Sequence, residues 1–128
     1  MSSPDRPPFS NPAAPRAFTG VDRLHGIGSY ARLANSAVVV VGIGGVGSWA
    51  AEALARHGIG NITLVDLDHV AESNINRQLQ ALQNTLGMPK VDALAERINS
   101  INPLCIVKRI EDFLSPAFAR MLDLLNST

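Results

Sequence analysis

Cysteine is almost missing from this 128-residue sequence, with Cys105 the single one. That excludes an internal disulfide, a Cys-x-x-Cys redox pair and a four-cysteine zinc site. Aromatic residues are scarce at 5%, and no alternation of basic and aromatic residues marks an RNA surface. Net charge is missing too, because 11 basic residues balance 11 acidic ones. Charge alone therefore provides no field for a polyanion. The longest purely apolar run, Ala37–Val41, is far short of the ~20 residues that span a bilayer. The opening MSSPDRPPFS lacks the apolar segment of a signal peptide. His25, His57 and His69 have no metal-ligand spacing, and no metal ligand is assigned in the chain. These absences lead to an expected cytoplasmic enzyme or binding domain with no membrane partner.

What is present divides in two. Residues 1–20 hold five of the eight prolines with several Ser and Asn, and read as a flexible lead. Apolar residues make up 46% of the chain, and residues 21–128 read as one globular domain. Ala37–Val41 is a continuous β-branched run, the signature of a parallel strand buried on both faces. Val46–His57 reads as a helix with Val46, Ala50, Ala53, Leu54 and His57 on its inward stripe, and Gly58 is placed as its C-terminal cap. Asn61–Val65 is a second strand. Residues 66–84 are polar and irregular with one short helical turn. Pro89–Asn99 reads as a helix with Val91, Leu94 and Ile98 inward, Leu104–Val107 as a third strand, and Pro116–Leu125 as a last helix. Trp49 and Phe113 read as packing residues, and Cys105 as a core residue within a buried strand. The order predicts an α/β fold: a Rossmann-like parallel sheet with flanking helices and right-handed crossovers.

The chemistry starts where the first strand meets its helix. Gly42-Ile43-Gly44-Gly45-Val46-Gly47 matches G-x-G-x-x-G directly after a strand and before a helix. Gly42 allows a tight turn, Gly44 admits a phosphate to the backbone, and Gly47 lets the helix pack closely. The helix N-terminus offers free N–H groups and partial positive charge to an anion. Asp66 ends the second strand about 20 residues further on, where an acid accepts hydrogen bonds from ribose hydroxyls. To this point NAD and ATP fit equally well.

The next segment distinguishes them. Asn74 and Asn76 suit Asx-turns that fix an irregular backbone, from which Arg77 would project to grip phosphate oxygens. Lys90 stands in the first turn of a helix, where a cation is normally unfavourable by ~0.3–1 kcal/mol. An anion between the lysine and the helix end would explain it. Arg77 and Lys90 together suit a triphosphate, whereas a dinucleotide pyrophosphate is already served by the helix dipole.

Gly42–Gly47, Asp66-Leu67-Asp68, Asn74-Ile75-Asn76-Arg77-Gln78 and Lys90, in that order, resemble the ATP-binding half of the E1-like adenylating enzymes, the ThiF, MoeB and HesA group. Gly45–Arg56, Ile59–Asp66 and Ile101-Asn102-Pro103-Leu104-Cys105 are most similar to the tRNA threonylcarbamoyladenosine dehydratase branch. The resemblance implies ATP with Mg²⁺, and adenylation of a carboxylate followed by cyclising dehydration on tRNA. It implies Gly42, Gly44, Gly45 and Gly47 around phosphate and Asp66 on the ribose. Asp68, Asn74, Arg77, Gln78 and Lys90 would surround the phosphates, with Arg77 and Lys90 stabilising the reaction's charge. It also implies a homodimer, with Arg23 or Arg32 as candidates to reach across to ATP. The family's further strand, ending in a magnesium-binding aspartate, would follow Thr128, so the sheet is expected to be truncated. Other readings are adenylation of a ubiquitin-like sulfur-carrier protein, an NAD-dependent oxidoreductase domain, and a nucleotide-binding fragment without turnover.

Overall fold

A computed structural model describes residues 14–112 and Arg120. Three parallel strands form the sheet: β1 (Ala37–Val41), β2 (Asn61–Val65) and β3 (Ile106–Ile110), with β2 in the middle. Two short helices, α1 (Thr19–His25) and α2 (Ser29–Ala34), precede β1. Helix α3 (Gly47–Arg56) joins β1 to β2, and α4 (Lys90–Ile101) leads into β3. The register pairs Val41 with Val65 and Val65 with Ile110, so the three strands end level.

The strand order explains where the core lies. Successive right-handed crossovers in one direction lay their helices on the same face of a sheet. Helices α3 and α4 accordingly cover the face of Val38, Val40, Ile62, Leu64 and Val107. Ile43, Ile62, Leu64, Leu94 and Ile98 are fully buried there, each worth roughly 1.5–3 kcal/mol. Val91, Leu94 and Ile98 point inward as expected. The opposite face keeps Val39, Val41 and Ile106 exposed. The expectation that β1 is buried on both faces is therefore corrected: the described sheet is wound in one direction only.

Other expectations shift. Strand β3 begins two residues later than Leu104, because Asn102 caps the turn before it, its Oδ1 accepting from the Leu104 N–H at 3.2 Å. The stripe on α3 is rotated: Ser48, Ala51, Glu52 and Ala55 face inward, while Val46 is 86% and Trp49 56% exposed. Small residues let the helix sit close to the sheet, which pushes the larger ones outward. Gly58 caps α3 as expected, with φ +88° and the paired bonds Gly58 N–H to Ala55 O and Ile59 N–H to Leu54 O. The irregular stretch holds two short turns, Glu72–Asn74 and Gln83–Thr85. The lead expected over 1–20 gives way to structure before its end, since Phe18 is buried and stacks on Tyr30 at 5.8 Å between ring centroids. Residues 1–13, Phe113 and, apart from Arg120, the helix expected over 116–125 lie outside the described residues.

One buried charge ties α3 to α4. Glu52 pairs with Arg97 and, at 3.3 Å, with Arg56. Chiefly the Arg97 hydrogen bond, against the opposing effect of burial, holds the Glu52 carboxyl below its usual range. A carboxyl lowered by folding stabilises the protein above its unfolded pKa of about 4.3, and that contribution fades as pH falls through the folded value. Glu52→Gln is expected to lower stability at neutral pH by about 1–3 kcal/mol, because both arginines can reach solvent. Urea titrations at several pH values should also show a smaller acid-side loss in the variant. An unchanged acid profile would contradict this assignment.

Candidate functional site: a glycine loop at the strand ends

The level ends of β1 and β2 gather most of the residues singled out in the sequence. Gly42 leaves β1 with φ +86°, a left-handed conformation that disfavours other residues. A Cβ on Gly47 would stand 1.9 Å from the Gly42 carbonyl oxygen. The tight fit at Gly47 is thus made within the loop itself. A Cβ on Gly44 would meet nothing within 4 Å, and one on Gly45 would touch the Arg77 side chain at 3.7 Å. Among the described residues, the N–H groups of Gly44, Gly45, Val46 and Gly47 donate to no protein acceptor. Together with the N-terminus of α3 they form an array of donors with partial positive charge.

Asp66 braces this loop. Its Oδ2 accepts from the Ile43 N–H at 2.7 Å and its Oδ1 from the Asp68 N–H at 2.7 Å. Each oxygen retains a second lone pair for a ligand hydroxyl. The Asp68 carbonyl accepts the Lys90 N–H at 2.9 Å, which joins the end of β2 to the start of α4.

Lys90 is the unusual charge. The residue is only 6% exposed, and among the described residues its Nζ has one ionic partner, the exposed Asp68 carboxylate, at 3.9 Å. Lysine side chains are seldom this far buried without a close partner. An anion at the loop would complete its shell.

Arg77 lies against Gly45. Its Nη1 donates to Ser73 O and to Asn76 Oδ1, both at 3.0 Å, which leaves the rest of the fork free among the described residues. Asn76 thus holds Arg77 in place. The start of α3 holds the same segment: Trp49 Nε1 donates to Arg77 O at 3.2 Å, and Ser48 Oγ accepts from the Leu79 N–H at 3.3 Å. Trp49, expected in the packing, is instead an exposed brace for the Arg77 turn.

Asn74 fixes the irregular backbone, as its place in the sequence implies. It is buried, and its Oδ1 accepts from the Ala71 N–H at 2.9 Å. Its side-chain oxygen is committed to holding the turn. Gln78 is also buried and accepts from Gln80 Nε2 at 3.0 Å. Arg23 and Arg32 lie in α1 and α2, and the α2 end packs against Gly60 at the start of β2, away from the loop. Cys105 is buried in the core, and burial pushes its thiol up. His57 bonds Ala53 O at the end of α3. Sequence reasoning missed Gln80, a buried amide in a polar stretch with no periodic signal, and Ser48, which composition does not distinguish. Among the described residues no group of three His, Cys, Asp or Glu side chains is placed to hold a metal ion. None of the described helices is long and apolar enough to cross a membrane.

The arrangement suits an anionic phosphate chain: free amides, room above Gly44, a lysine and a braced guanidinium. Comparison with known proteins points the same way. Residues 18–127 match the ThiF family. A tRNA threonylcarbamoyladenosine dehydratase of Haemophilus influenzae is 52% identical over 99 residues, which is 77% of this chain and 38% of that protein. The crystal structure of the Escherichia coli tRNA N6-threonylcarbamoyladenosine dehydratase in complex with ATP superposes with a TM-score of 0.80 at 49% identity. It is matched over 84% of this chain and 45% of that one. A molybdopterin-synthase adenylyltransferase of Escherichia coli is 39% identical over 85 residues, 66% of this chain and 34% of that protein. The chain thus spans less than half the length of these relatives.

Proposed function

The chain belongs to the ThiF family, and on that premise we propose that its glycine loop binds ATP for adenylation of a carboxylate. The observation that carries the reading is the row of free amides at the glycine loop, with Lys90, a mostly buried side chain, linked to it through Asp68 and Asp66. The amides and α3 N-terminus would hold phosphate oxygens, and Asp66 the ribose hydroxyls. A carboxylate oxygen of the substrate attacks the α-phosphorus, and the bond from that phosphorus to the pyrophosphate oxygen breaks. Arg77 and Lys90 take up charge on the α-phosphate and the departing pyrophosphate, without needing to reorganise. A carboxylate nucleophile needs no general base. Mg²⁺ would enter with the nucleotide and neutralise phosphate charge.

The preferred substrate is the threonylcarbamoyl group on an adenosine of tRNA. The higher identity to the dehydratases supports it. There a nucleophile of the same group attacks the activated carboxyl, a ring closes and AMP leaves, for a net loss of water. A homodimer completes this proposal, with Arg23 or Arg32 as the crossing residue. The similarity to the molybdopterin-synthase adenylyltransferase favours a second reading, in which the carboxylate is a protein C-terminus.

Pyrophosphate exchange tests both. Exchange that depends on tRNA carrying threonylcarbamoyladenosine supports the first, and dependence on a carrier protein the second. Arg77→Ala is expected to lower exchange by about 10²-fold or more. Its folding stability should hold within about 0.5 kcal/mol, because the side chain is exposed. Unchanged exchange would overturn its role.

A further inference from the structure

Gln80 is 1% exposed and lies behind the glycine loop. Its Nε2 donates to the Ile43 carbonyl at 3.3 Å and to Gln78 Oε1 at 3.0 Å. Two acceptors on one side fix which way the amide faces. Its own Oε1 is buried with no partner among the described residues. An apolar side chain of similar size would avoid that unsatisfied oxygen, so stability alone gives no reason for an amide here.

The backbone supplies a reason. In a trans peptide the C=O and N–H point in opposite directions. Drawing the Ile43 carbonyl inward to Gln80 turns the Gly44 N–H outward, where it donates to no acceptor among the described residues. Asp66 holds the other side of the same residue through the Ile43 N–H. Both peptides flanking Ile43 are thereby pinned, while its side chain is fully buried. If the 43–44 peptide flipped, a carbonyl oxygen would face a phosphate in place of a donor.

We propose that Gln80 is a positioning residue for the nucleotide: it keeps the Ile43–Gly44 peptide from flipping, so that the Gly44 amide stays aimed at phosphate. The inference rests on the ATP reading above. Thr85 supports it from behind, its Oγ1 donating to Gln80 O at 2.7 Å.

The test is ATP binding by the full chain, measured by titration calorimetry at about pH 8 and about pH 5.5 for wild type, Gln80→Leu and Gln80→Glu. The thermal midpoint of each ligand-free protein reports folding. Gln80→Leu removes the donor and is expected to bind ATP about tenfold or more weakly at both pH values. Gln80→Glu sets a carboxylate against the Ile43 carbonyl at the higher pH, but a protonated acid can donate to it. Its deficit relative to wild type should therefore shrink on acidification. Asp66 lies on the far side of Ile43, and Glu96 and Arg97 share a cavity lining with Gln80. Wild type carries these groups too, so the ratio at each pH isolates position 80. Should Gln80→Leu not fold, the two pH values for Gln80→Glu decide. Gln80→Leu binding within twofold of wild type, or a Gln80→Glu deficit independent of pH, overturns the inference. Wild type that binds no ATP overturns the nucleotide reading itself, and this inference with it.

Discussion

Alanine at position 47 is expected to abolish ATP binding and to destabilise the fold by about 3 kcal/mol or more. Its Cβ would stand 1.9 Å from a backbone oxygen, that of Gly42, and backbone cannot swing aside as a flexible side chain can. Either α3 backs away from the sheet or the turn at Gly42 opens. The first loosens the packing of Ala51 and Ala55, both fully buried, and the second scatters the free amides. Gly44→Ala is the matched control. That position has open space and no positive φ, so its stability should equal or slightly exceed wild type, since alanine restricts the unfolded chain. The added methyl would still project into the room proposed for phosphate. ATP affinity should therefore fall in Gly44→Ala while stability holds. Urea unfolding and ATP titration of the two variants check this. Equal behaviour of both would show that the loop matters only for packing.

Lys90→Met is expected to separate function from stability in the other direction. The side chain is mostly buried and, among the described residues, has a single ion pair at 3.9 Å to an exposed carboxylate, an arrangement that contributes little to stability. Methionine keeps the apolar stem and removes the charge, so stability should stay equal or rise. Adenylation should fall by about 10²–10³-fold, the scale for removing one preorganised electrostatic group. A large loss of stability would mean that Lys90 serves the fold. Full activity would remove it from the site.

Much of this was legible in the sequence, for reasons that differ by element. Ala37–Val41 and Asn61–Val65 stand at their expected residues because short β-branched runs, one ending at Gly42 and the other starting after Gly60, leave little choice of bounds. Helix α4 shows its inward face because Val91, Leu94 and Ile98 contrast with charged neighbours. In α3 that contrast is lost: Ala50, Ala51, Ala53 and Ala55 read alike on any face, and Val46, placed on the stripe, stands exposed. Helices α1 and α2 went unassigned because each is too short to show a period. The cap joining them, Asp22 accepting from the Tyr30 N–H at 2.8 Å, connects residues far apart in sequence. The site followed the same pattern. Glycines, Asp66, Arg77 and Lys90 were marked by spacing and chemistry. The clamp by Gln80 depends on how a polar loop folds back, which no periodicity records.

The strand ends are proposed to form an ATP site with Lys90 as one of its cations. The most direct measurement is equilibrium titration of the chain with ATP, with Lys90→Met and NAD as comparisons. Saturable ATP binding that exceeds NAD binding, and that Lys90→Met loses without loss of folded structure, is the result expected. Preference for NAD, or the same ATP affinity in Lys90→Met as in wild type, would contradict it.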